Sequence, residues 1–202
     1  MTKGVRERMV ASAVDLLARR GLQATSISEV LEHSGAPRGS VYHHFPEGKN
    51  QIIDSALDAA SARAIDLLDR KAGAPAEEIA AWFLNIWREV LIRGKFDAGC
   101  SVLAVAVAAD SPDLLEHTAH VFRAWRHRLA ELLQRGGLRP ADAQRFATVL
   151  VASSEGGVVL ARAEQSLEPF DVVAQQLLDQ VRALRSGSGR KGRRAQAPRA
   201  TR

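Results

Sequence analysis

Apolar residues recur three or four positions apart along almost the whole chain, and glycine or proline interrupts the recurrence at intervals. That spacing gathers the apolar groups on one face of a helix, and no alternating stretch lasts long enough to compete as a strand. The expected fold is therefore all-α, with about nine helices. The first, from about Lys3 to Arg20, turns Met9, Val10, Ala13, Val14 and Leu17 inward and stops at Gly21, with Arg19 and Arg20 at its negative end. Ser26 with Glu29 three positions on has capping-box spacing and opens a short second helix, Ile27, Val30 and Leu31 inward, that ends at Ser34-Gly35. Pro37 suits the first turn of a third, barely two turns long, with Val41 and Phe45 inward and Pro46 closing it.

Longer helices follow. Lys49 to about Lys71 is expected as the fourth, before Gly73 and Pro75, and the fifth carries Trp82, Phe83, Ile86, Trp87 and Val90. A short sixth spans Val102 to Ala109 and stops at Ser111-Pro112, and a seventh carries Leu115, Phe122, Trp125, Leu129 and Leu132 up to Gly136-Gly137. The eighth, 141–164, shows Phe146, Val149, Leu150 and Leu160; the ninth, 169–185, shows Phe170, Val173, Leu177, Val181 and Leu184. Beyond Ser186 the chain is rich in Gly, Ser, Arg and Ala without core-forming residues, so 187–202 is expected as a disordered basic tail.

The net charge of +5 invites a nucleic-acid reading, but its distribution matters more. Six basic residues and no acid fall after position 185, leaving the first 185 residues at −1. Within that body, residues 1–50 sum to +2 and 51–185 to −3. The tail reads either as a nonspecific clamp on phosphates or as a solubilising terminus. The longest apolar run, Val102 to Ala109, has eight residues against the roughly 18 of a membrane span, and the N-terminus lacks a signal-peptide core. Together with a single cysteine, Cys100, this points to a cytoplasmic protein without disulfide or metal scaffold and with no membrane partner.

Two short helices joined by a Gly-containing turn and braced by a third make a helix-turn-helix, whose last helix enters the major groove of double-stranded DNA. With Val41 and Phe45 inward, Gly39 and His43 point outward and Ser40 and Tyr42 flank them. Gly39 would let the backbone approach the bases, and Arg38 offers a donor fork for guanine or phosphate. Thr25 or Ser26, His44 and Lys49 are placed to hold the phosphate backbone. A generic three-helix core would not need so exposed a Tyr42-His43-His44 run.

The segment Gly35-Ala36-Pro37-Arg38-Gly39-Ser40-Val41-Tyr42-His43-His44-Phe45-Pro46, with Gly48-Lys49, resembles the DNA-binding signature of TetR-type bacterial regulators. Thr25, the Ile27 and Val30 spacing and Arg19-Arg20-Gly21 extend the likeness over about fifty residues. The Ala-Pro after the turn glycine, the extra residue before Lys49 and Gly99-Cys100-Ser101-Val102 are similar to the branch of lincomycin- and flavonoid-responsive repressors. Leu31 stands where alanine is usual and Ala36 where valine is. The resemblance implies a homodimeric regulator of palindromic operator DNA, with a DNA-binding domain over 1–48 (motif 26–45) and an effector-binding and dimerisation domain over 49–186. The implied interface residues are Phe146, Leu150, Ser153, Gly157, Phe170, Val173, Leu177 and Val181.

Trp82, Phe83, Ile86, Trp87, Phe122 and Trp125 could line an effector pocket or simply form core, and Cys100 could join them or be a small buried residue. A mostly aromatic and aliphatic lining would suit a planar or lipophilic effector. Glu116, His117 and His120 lack a fourth metal ligand, and no nucleophile stands beside a base, so no metal, cofactor or catalytic residue is expected. Repressor, activator, nucleoid-like DNA binder, helical small-molecule enzyme and ligand-sequestering protein are the readings left to separate.

Overall fold

The computed structural model describes residues 4–195, with side chains as far as Ser186. Nine helices and no strand occur among them: α1 Val5–Arg20, α2 Ile27–Ser34, α3 Ser40–His44, α4 Lys49–Asp69, α5 Ala76–Arg93, α6 Ser101–Ala106, α7 Pro112–Arg135, α8 Pro140–Glu164 and α9 Glu168–Ala195.

Local chemistry sets most of the ends. The Ser26 hydroxyl accepts from the Glu29 N–H at 3.2 Å, but the Glu29 carboxylate turns to Arg20 at 2.7 Å, so the reciprocal half of the expected capping box gives way to a tie between α1 and α2. Gly35 ends α2 with φ +62°, a left-handed turn that favours glycine and lets Ala36 N–H reach back to Leu31 O. Pro37 lies before α3 instead of in its first turn. Both the amide and the hydroxyl of Ser40 donate to the Pro37 carbonyl, closing a tight turn that leaves α3 only five residues.

The core is continuous from Met9, Leu16 and Leu17 of α1, through Val30, Val41 and Phe45, into Ile52, Ile53 and Leu57 of α4, and on to α8 and α9. Because α4 packs on α1 at one side and on α7 at the other, it bridges the N-terminal helices and the rest. α8 lies between α7 and α9. At Gly157 a Cβ would come 3.2 Å from the Phe170 ring, so glycine is what allows α9 to pack this close.

By length and composition α8 alone among the described helices could cross a bilayer. Half of its most apolar stretch is buried in the molecule, however, as in the central helix of a bundle. The ninth helix outruns its expected end at 185. It continues to Ala195, so the first nine residues of the expected disordered tail carry on the helical backbone; residues 196–202 lie outside those described. No proline interrupts 186–195, and Arg, Lys and Ala there are good helix formers.

Candidate functional site

Val41 and Phe45 are 1% and 0% exposed, and anchoring those two side chains decides what α3 shows to solvent. Tyr42 is 70% exposed, far too much for a residue with a packing role. His43, Arg38 and Gly39 share its exposed surface, and nothing lies within 4 Å of a Cβ placed on Gly39, so the helix entrance is open. His44 is half-buried, its ring edge-on to those of His43 and Phe45. Ser40 is half-buried and its hydroxyl proton goes to Pro37 O, which leaves that oxygen as an acceptor.

One of the expected phosphate contacts, Thr25, is corrected, and Lys49 takes a further partner within the chain. Thr25 is 1% exposed and its hydroxyl donates to Gly21 O at 2.8 Å, so it pins the α1–α2 turn from inside. Lys49 Nζ donates to Leu22 O at 3.1 Å and braces the same turn against the start of α4. Ser26 keeps a half-buried hydroxyl whose oxygen caps α2. Sequence reasoning passed over Arg6, whose guanidinium sits over the Phe45 ring and bonds Ser55, and Arg8, which donates to Ser34 O. Their partners lie 26 to 49 residues away, and no local pattern signals them.

A cavity of about 370 Å³ opens between α1, α4, α5, α7 and the loop before α6. Phe83, Ile86, Trp87, Cys100 and Trp125 line it as expected, with Val14 of α1 and Leu67 of α4. Trp82 and Phe122 do not. The Trp82 indole N–H donates to Leu67 O at 2.7 Å beneath the Lys71 ammonium, and Phe122 packs edge-to-face on Trp125. Behind the Cys100 wall lies Glu155 of α8, 7% exposed, its carboxyl beside the thiol; burial pushes its pKa up to about 7. Burial, and then the Glu155 charge, pushes the Cys100 thiol well above its ordinary value, which makes it a poor nucleophile. Glu116, His117 and His120 do not converge: His117 turns to Asp54 and Asp58 of α4, at 2.8 and 2.9 Å, and Glu116 pairs with Arg123.

The expected interface needs a larger correction. Phe146, Leu150, Phe170, Leu177 and Val181 are at most 3% exposed and face this chain's own core, and Gly157 is buried against α9. Of the expected set, Ser153, Gly157, Val173 and Leu177 border the outer groove between α8 and α9, Gly157 and Leu177 only at its buried floor. Apolar side chains that sequence reasoning had not assigned surround them there: Val149, Leu160 and Val172, 39%, 49% and 55% exposed.

Comparison with known proteins bears on these features. The family model of tetR-type bacterial regulatory proteins matches residues 10–56, and that of the C-terminal domain of LmrA/YxaF-like transcriptional regulators matches residues 75–176. The chain is 37% identical over 182 residues to the uncharacterised HTH-type transcriptional regulator Rv0196 of Mycobacterium tuberculosis, covering 87% of this chain and 93% of that protein. It is 26% identical to the HTH-type transcriptional regulator LmrA of Bacillus subtilis, over 82% of this chain and 90% of the other. A crystal structure of a TetR transcriptional regulator from Chloroflexus aurantiacus superposes with a TM-score of 0.72 at 30% identity, covering 87% of this chain and 92% of that one.

Proposed function

This chain belongs to the TetR family of bacterial transcriptional regulators, and from that premise we propose that it is a repressor released from its operator by a small lipophilic effector. Family membership makes it a DNA-binding regulator and not an enzyme. In this reading residues 1–48 bind DNA, 49–186 bind effector and a second copy, and the operator is a palindrome whose half-sites lie a whole number of helical turns apart.

The observation that carries the reading is the 70% exposure of Tyr42 on a helix whose other face is locked by Val41 and Phe45. Arg38, Gly39, Ser40, Tyr42 and His43 then meet the groove, while Ser26 and His44 meet phosphate. Lys49 sits too close to Leu22 O to be assigned to phosphate alone. Release follows from the cavity walls. Val14 belongs to the DNA-binding part and Leu67 to the bridging helix, so a ligand between them changes the angle at which α1 meets α4. The tip follows as one body, because Arg8 to Ser34, Arg20 to Glu29 and Lys49 to Leu22 fasten α1, α2 and the start of α4 together. Ligand can displace DNA only by the difference in its affinity for the two angles.

Tyr42→Ala tests the assignment. Gel-shift titration against the chain's own promoter region should show at least about a hundredfold loss of affinity while the melting temperature is unchanged. Undiminished binding would remove Tyr42 from the interface. In cells, deletion of the regulator should raise transcription from that promoter; a fall would make it an activator.

A further inference from the structure

Six basic residues and no acid follow position 185, and the fold decides at which end of the molecule they emerge. α4 leaves the DNA-binding tip, where Lys49 holds Leu22 O, and runs for about 30 Å. α7 runs beside it in the same direction, since His117 early in α7 meets Asp54 and Arg128 later in it meets Asp69. At the far end the Ala76 amide donates to Gly136 O and ties the α4–α5 and α7–α8 loops together. α8 then returns toward the tip, where its Arg162 reaches Arg19 O, and α9 runs out again. By Arg182, which bonds Glu77 at 2.6 Å, α9 has regained the far end. Its backbone stays helical to Ala195, about 20 Å further on. Arg190, Lys191, Arg193 and Arg194 fall on that extension.

We propose that the extension grips the phosphates of a second DNA segment, one that α3 does not touch, so that the regulator bridges two stretches of duplex. A clamp on the operator itself does not fit the fold. The path back along α9 and α4 is about 50 Å, whereas extended chain carries Arg199 and Arg202 at most about 25 Å beyond Ala195. The partner's chemistry follows from composition. From 186 to 195 no side chain is apolar beyond alanine, so the extension has no stripe to bury in a lipid surface or a protein groove. What it offers is four cations between positions 190 and 194, at spacings where like charges on a helix repel until a polyanion neutralises them. Arg70, Arg135 and Arg139 are exposed at the same end, while the acids Asp69, Glu77 and Asp142 there are each paired with an arginine. A protein already fixed to DNA meets neighbouring duplex at a far higher local concentration than any other polyanion.

A capture assay tests the bridge. Beads carrying the chain's own promoter fragment are loaded with the full chain and offered a short labelled duplex of unrelated sequence. The loaded beads should retain that duplex and release it as salt rises. Changing Arg190, Lys191, Arg193 and Arg194 together to Gln should cut retention at least about tenfold and reduce the slope of log affinity against log salt by about 3 to 4 per chain. Arg193→Gln with Arg194→Gln alone should remove about half of that slope. Arg190→Lys, Arg193→Lys and Arg194→Lys together keep the charge and should keep retention. Affinity for a fragment trimmed to the operator footprint, by fluorescence anisotropy, should be the same for all of these chains. No core residue is altered, so circular dichroism melts should match the parent; should the fourfold variant melt lower, the double variant decides. Undiminished retention by the Gln variants overturns the proposal. So does a fall in their affinity for the trimmed operator, which would put the tail on the operator, or capture of phosphatidylserine vesicles in place of duplex, which would make the extension a membrane-surface element.

Discussion

Thr25 and Lys49 carry donors of the kind that phosphate binding needs, and both donate inside the chain, to Gly21 O and Leu22 O. Residue type and position pointed outward. Which way a side chain turns, however, depends on carbonyls that come within its reach only once the turn between α1 and α2 has formed. Glu155 is the reverse case: in Ser153-Ser154-Glu155 nothing marks a buried acid, because the neighbours that bury it come from other helices. Its pKa of about 7 has a thermodynamic consequence. The folded chain holds the proton more tightly than the unfolded one, so this contribution to stability is complete below the ordinary carboxyl value and is lost as pH rises through about 7. The facing thiol of Cys100, pushed upward itself, stays neutral throughout that window. Glu155→Gln cannot ionise. Denaturant titrations should therefore show the variant matching the parent below about pH 4 and exceeding it by on the order of 3 kcal/mol by about pH 8. A difference that does not change with pH would mean that the carboxyl is hydrated.

At the scale of elements, helix ends were legible because their signals are local: the Ser26 cap, the left-handed Gly35, and Ser111-Pro112 opening α7. Contacts between elements were not legible, and one of them sits where regulation must pass. Arg162 of α8 donates to Phe96 O, Asp97 O and, at 3.3 Å, to Arg19 O at the C-terminal end of α1. Its partner Phe96 and the preceding Lys95 hold positive φ, and Gly99 leaves room for the guanidinium, since a Cβ there would stand 2.9 Å from Arg162 Nη1. One planar side chain thus fastens the end of α1 and the α5–α6 loop to α8 through three carbonyls. A lysine, with a single compact ammonium, cannot reproduce that geometry. Arg162→Leu should lower stability by about 1–2 kcal/mol in chemical melts and Arg162→Lys should recover only part of it. If effector-driven release runs through this contact, the leucine variant also needs more effector for half-release at unchanged operator affinity, measured by fluorescence anisotropy. A variant with parental stability and parental release would show the three bonds to be incidental.

For the whole molecule, the sequence made the strongest apolar stripes of α8 and α9 look like an interface, because periodicity reports that a face is buried and not what buries it. Phe146, Leu150, Phe170 and Leu177 are covered by this same chain. What a second copy would cover is the weaker face, where Val149, Leu160 and Val172 border a groove with Ser153 and Gly156. These apolar side chains on two adjacent helices give a second copy a face to pack against across a two-fold axis. The two faces answer differently to charge. Leu177→Asp puts a carboxylate into the chain's own core and should unfold it, whereas Leu160→Asp with Val172→Asp leaves each chain folded and separates the copies. Sedimentation should show the double variant at half the parental mass with unchanged helix content. Its operator affinity should fall by about two orders of magnitude or more, because the second half-site is no longer bound by a tethered partner. A double variant that still sediments as a dimer would place the interface elsewhere on the molecule.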